Sequence, residues 1–182
     1  VDAAIVEALS TSPTPYVRLR LAQAAGERDL ASATPAMLSA FRAAPSDSQK
    51  VEILNAVRRV AGRETMPALL DALKGEVSPP NRSLFEDVII AVYRRSPRDS
   101  QATAELMGRL ASTTDGERRS LFRILGAIGG DEVMKRLQSI YGNDAEKALR
   151  YDAVNALMSW PDRSALPLVE QILSQSDDNA LK

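Results

Sequence analysis

The sequence predicts an all-α fold, a row of helical hairpins in five complete pairs with a sixth begun. Three observations carry that prediction. Apolar side chains return on a helical period, basic residues open these stretches at near-constant spacing, and the 182-residue chain is 45% hydrophobic yet only 4% aromatic. Alanine and leucine dominate the apolar share, which suits helices at close approach better than a sheet rich in valine, tyrosine and phenylalanine.

The repeat is plainest after Arg150, where Ala153, Ala156, Leu157 and Trp160 stand at offsets +3, +6, +7 and +10. On a helix these offsets share about 100° of arc, one buried stripe. In chain order, a short apolar-periodic segment at 2–9 precedes Arg18, which leads Leu21, Ala24 and Ala25 in a helix ending near Gly26. The segment 33–43 precedes Lys50, which leads Ile53, Ala56, Val57 and Val60. Next, 65–74 precedes Arg82 with Phe85, Val88, Ile89 and Val92, and 101–111 precedes Arg119 with Phe122, Leu125, Gly126 and Gly129. The segment 131–141 then precedes Arg150, and 163–174 follows it. The basic residues are 32, 32, 37 and 31 apart, and the extra length of the third interval is assigned to a loop over Arg94 to Ser100.

Start signals sit just before each basic residue: Thr14-Pro15, Ser46 with Gln49, Ser78-Pro79, Thr114 with Glu117, and Asn143 with Glu146. They are capping boxes or prolines at the first helical position, where no N–H is needed. In the shorter segments Pro35, Pro67 and Pro167 occupy the first turn, which tolerates them. Short polar connections then force consecutive helices to pack antiparallel. Lys182 lies 32 residues after Arg150, so it would open another long helix. The expectation is a piece of a longer array whose Leu168, Val169, Ile172 and Leu173 lie bare. Each such side chain forgoes about 1.5–3 kcal/mol.

Composition excludes much chemistry. The chain has no histidine and no cysteine, so Ser-His-Asp triads, thiolate nucleophiles and His- or Cys-ligated metals fall away. No catalytic, cofactor-binding or metal-ligating residue is expected. A net charge of −1 argues against a nucleic-acid coat or a polybasic membrane binder. The longest apolar run, Val88 to Tyr93, falls far short of the ~20 residues of a membrane span. The opening VDAAIVEAL lacks a secretion signal, so the chain reads as a processed or trimmed soluble product whose compartment is open.

The proline-and-leucine short helix, together with "KVEILNAVRRVAGRE" and "ALRYDAVNALMSWPD", resembles the short HEAT repeat of prokaryotic and bilin-lyase-like proteins. The likeness runs through nearly the whole chain. It implies a right-handed α-α superhelix, an armadillo-like solenoid forming a single domain over 1–182, that serves as a non-catalytic protein- or peptide-binding scaffold.

Candidate chemistry follows from the helical angle. Arg18, Lys50, Arg82, Arg119 and Arg150 fall at the edge of the stripe, where long stems lie on apolar surface and heads reach out. They read as structural bridges between adjacent repeats rather than a phosphate ladder. Offsets +1, +5, +8 and +12 point away from the core. They hold Leu19 and Gln23, Val51, Asn55 and Arg58, Ser83, Asp87 and Arg94, Ser120 and Ile124, and Tyr151, Asn155 and Met158. In HEAT-like arrays the long helix lines the concave face, so the resemblance makes these the groove floor. Gln23, Asn55 and Asn155 could hydrogen-bond an extended peptide, with Ile124, Tyr151 and Met158 as an apolar anchor patch. The plainer alternative is a solvated face.

Arg58, Arg59, Arg63, Arg94, Arg95 and Arg98 form two clusters, offset by Glu52, Glu64, Asp87 and Asp99. Gly126 to Gly130 is no phosphate loop, since no strand precedes it; Gly129 and Gly130 read as a left-handed helix end. Trp160-Pro161-Asp162 invites comparison with HEAT-like DNA glycosylases, but Trp160 occupies a core offset. A DNA-binding enzyme of that type and a structural spacer within a larger protein remain the alternative functions.

Overall fold

Proline and side-chain oxygens set the helix starts. Pro15 opens a helix behind an extended Thr14, and Ser46 Oγ accepts the Gln49 N–H at 3.4 Å, closing one half of a capping box. In the computed structural model, which describes residues 1–75, 78–95, 100–110, 113, 115–142 and 147–175, eleven α-helices and no strand are found among those residues. They are α1 (Asp2–Thr11), α2 (Pro15–Glu27), α3 (Thr34–Ala43), α4 (Asp47–Val60), α5 (Met66–Gly75) and α6 (Pro79–Arg95). After these come α7 (Ser100–Arg109), α8 (Asp115–Ile128), α9 (Asp131–Gly142), α10 (Lys147–Met158) and α11 (Leu166–Gln175). The all-α prediction holds, helix by helix. No described helix is long and apolar enough to cross a membrane. The expected caps at Thr114 and at Asn143 with Glu146, most of the 94–100 loop, and Lys182 fall outside the described residues.

The short helices share one entrance. A turn of 3-10 helix at Ala31–Ala33, Arg63–Thr65 and Arg163–Ala165 leads into α3, α5 and α11, with proline second in each helix. Buried Thr34 and Thr65 each donate a hydroxyl to a carbonyl three residues back, at 2.9 and 2.5 Å. That bond removes the cost of burying an unpaired hydroxyl.

The chain divides into two compact units, Val1–Ser96 and Pro97–Lys182. In the first, α1/α2, α3/α4 and α5/α6 pair as hairpins; α1, α3 and α5 pack in succession as one layer, and α2, α4 and α6 as another. Phe41 of α3 meets Phe85 of α6 edge to face, centroids 4.9 Å apart, at the centre of this core. In the second unit α7 pairs with α8 and α9 with α10, while α10 also packs on α8 and α11.

Burial corrects the phase of one repeat. Offsets +3, +4, +6 and +7 are buried in α4 (Ile53, Leu54, Ala56, Val57) and in α10 (Ala153, Val154, Ala156, Leu157). In α8 the same four offsets are buried only when counted from Arg118: Leu121, Phe122, Ile124 and Leu125. Arg118 is also the residue that bridges helices, its Nε 3.5 Å from Asp152 Oδ2 of α10, with both side chains 13% exposed. Arg119 is exposed. The ladder member is therefore Arg118, and the interval after Arg82 is 36 residues rather than 37.

Two other ladder residues act more locally than expected. Arg18 Nε donates to the Ser12 carbonyl at 2.6 Å, closing the end of α1, and Lys50 Nζ lies 5.4 Å above the Phe41 ring. Both tie a long helix to the short helix of its own pair.

Helix α2 ends at Glu27, near Gly26 as expected, and the left-handed residue beyond it is Asp29, at φ 54°. Gly129 and Gly130, at φ 70° and 103°, end α8 as expected. On α11, expected to be bare, Ile172 is buried and Leu168, Val169 and Leu173 are half-buried.

Candidate functional site

Two contacts fix how α2 lies on α4. Gln23 Nε2 donates to Glu52 Oε2 at 2.6 Å, and a Cβ placed on Gly26 would stand 3.1 Å from Ala56 Cβ. Contact partners rise together along both helices, 23 with 52 and 26 with 56, so the helices run parallel at close approach. Alanine at 56 and glycine at 26 permit that approach, and a cleft of about 270 Å³ opens beside it. Its lining is Arg20, Gln23 and Glu27 from α2, with Glu52, Asn55, Ala56 and Arg59 from α4.

The lining follows from spacing. Arg20, Gln23 and Glu27 lie at i, i+3 and i+7 on one helix face, and Glu52, Asn55 and Arg59 repeat that spacing 32 residues on. From α2 to α4 the amide is kept in the middle and the two charges change sign. Arg20 Nη1 donates to Gln23 Oε1 at 2.8 Å, and the same carboxamide donates on to Glu52. The Asn55 side chain is exposed, and among the described residues its amide has no partner. Two guanidiniums balance two carboxylates, so the cleft is polar without net charge.

The structure sorts the groove residues expected from sequence. Gln23 and Asn55 come together in the cleft, but Gln23 is already engaged on both sides of its amide. Arg58 is exposed, and its carbonyl accepts from the Arg95 guanidinium, which also donates to the Arg59 carbonyl at 3.0 Å. Arg95 thus closes the C-terminal end of α4, a structural use of part of the arginine cluster. Asp87 is half-buried and Arg94 exposed, and both are engaged by neighbours.

In the second unit, Asn155 is exposed, Met158 is 69% exposed, and half-buried Tyr151 lies under the Lys147 ammonium, 5.4 Å from its ring centroid. Ile124 is a correction. It is fully buried at 0% exposure, because counting from Arg118 gives it a core offset, so it offers nothing to an anchor patch. Leu19 and Ser120, assigned to the same outer face, are buried as well.

Trp160 is held in place. Its indole N–H donates to Ser164 Oγ at 2.9 Å, and it lies beside Gly129, where a Cβ would meet Pro161 at 2.9 Å. Asp162 caps the following 3-10 turn through the Ser164 N–H at 2.8 Å. The Ser164 hydroxyl and then its backbone N–H hold the Asp162 carboxyl below its ordinary value of 3.8.

Sequence reasoning missed Arg20, Glu27, Glu52 and Arg59 as cleft residues. The available signal was the sign-inverted charge pair one period apart. Among the described residues no three acidic side chains converge as a metal site would require. No protein-family model matches the chain, and no match is found among curated proteins or solved structures.

Proposed function

We propose that the chain is a non-catalytic scaffold of HEAT-like repeats, a right-handed α-α superhelix that binds an extended segment of a partner protein. Stacked hairpins in the first unit support the repeat reading. One observation carries the binding reading: the neutral cleft between α2 and α4, with the unengaged Asn55 amide on its wall. A peptide backbone is a row of donors and acceptors without charge, and a polar lining of zero net charge matches it. A phosphate backbone would instead demand an excess of cations.

The test is a displayed library of random peptides panned against the whole chain. The enriched peptides are then titrated against wild type and Asn55→Ala. Binding should weaken about fivefold, as loss of a neutral hydrogen bond does, while the unfolding midpoint stays put. Affinity should also fall only slightly with salt. Failure to enrich any peptide, or equal binding by both proteins, would remove the proposal.

A further inference from the structure

One end of the cleft shows what the other end lacks. At the N-terminal end the charges Arg20 on α2 and Glu52 on α4 do not touch directly. The Gln23 carboxamide stands between them, accepting from the guanidinium at 2.8 Å and donating to the carboxylate at 2.6 Å. Past the Gly26–Ala56 contact the pair recurs with its signs exchanged, Glu27 one residue further along α2 and Arg59 three residues further along α4. Among the described residues, neither that carboxylate nor that guanidinium has a hydrogen bond or ion pair. Neither is bonded to a side chain of the cleft, as Arg20 and Glu52 both are to Gln23.

We infer that the Glu27–Arg59 end of the cleft takes a primary carboxamide, an asparagine or glutamine side chain of the bound peptide. Only a group carrying a donor and an acceptor together can serve a carboxylate and a guanidinium at once. A carboxylate ligand would satisfy Arg59 and be repelled by Glu27, and an ammonium would meet the reverse. A hydrocarbon would leave both charges without partners. The site thereby selects for a neutral polar residue, with Asn55 adjacent for the neighbouring peptide group. This inference rests on the peptide-binding reading and adds the residue by which the partner is recognised.

The test compares sequence profiles from the same random-peptide library panned against wild type, Glu27→Leu, Arg59→Leu, and the double exchange Glu27→Arg with Arg59→Glu. All altered positions are exposed, so each protein should unfold at the wild-type midpoint. Peptides enriched on wild type should carry glutamine or asparagine at one fixed position. Replacing that residue by leucine should weaken binding about tenfold, as should either single leucine variant of the protein. The double exchange should keep the preference, because a carboxamide can turn over to meet reversed charges, as Gln23 meets the opposite order. Enrichment of peptides with no carboxamide preference, or with an acidic or basic one, would overturn the inference and leave the peptide-binding cleft intact. Enrichment of no peptide at all would overturn both.

Discussion

The α2/α4 junction of the first unit and the α8/α10 junction of the second share a frame and differ in lining. Glycine meets alanine at both, Gly26 with Ala56 and Gly126 with Ala156, and both pairs are 30 residues apart. An added Cβ at Gly126 would overlap the Ala156 carbonyl oxygen, whereas at Gly26 it would lie 3.1 Å from a methyl group. Positions equivalent to Arg20, Glu27 and Arg59 are then Ser120, Ala127 and Ser159, and of the charged quartet only the acid at Glu52 is kept, as Asp152. There Arg118 and Asp152 form one ion pair, with Arg118 also 3.0 Å from Asp115. Close packing of backbones is thus common to both junctions. The cleft at the first junction is lined by four charged side chains, three of which have no charged equivalent at the second.

The largest expected difference tests that packing. Gly126→Ala should destabilise by about 2–3 kcal/mol in urea unfolding, because backbone must move to admit the methyl. Gly26→Ala should change stability by less than about 1 kcal/mol, since the helix preference of alanine offsets a tight methyl contact. Equal costs would mean that the two junctions do not differ in closeness.

Next in size is the ion pair. Arg118→Met should cost about 2 kcal/mol by leaving the Asp152 carboxylate buried beside one partner fewer. Arg119→Ala should be neutral within about 0.5 kcal/mol, as an exposed substitution usually is. A reversed order would restore the original phase of the fourth repeat.

The smallest effect belongs to Asp162. Its lowered carboxyl contributes stability that is present above the unfolded value and lost as pH falls through the folded one. The melting-temperature gap between wild type and Asp162→Asn should therefore be constant near neutrality. It should close as pH drops below about 3.8. A gap independent of pH would remove the carboxylate from the cap.

How much of this was legible depended on the kind of signal. Helix order and starts were readable because proline and apolar period act within a few residues. The phase of α8 was not, because Arg118 and Arg119 are adjacent and both fit a template of four offsets. Only the tertiary structure, through burial and the contact with Asp152, chooses between them. Asn55 was found from helical angle, but its neighbours Glu27 and Arg59 were not, since each is an ordinary surface charge until the opposite helix supplies its counterpart. Gln23, read from helical angle as facing outward, is half-buried with its amide spent on Arg20 and Glu52.

By itself, the sequence determined that this chain forms paired helices, because hydrophobic period and caps are properties of a single segment. Tertiary structure alone decided which basic residue bridges repeats, that Ile124 is sealed, and that charges 32 positions apart face one another across a cleft. The physical reason is that burial and charge pairing are properties of two surfaces brought together. A one-residue shift in helical phase, about 100° of rotation, is enough to exchange one surface for another.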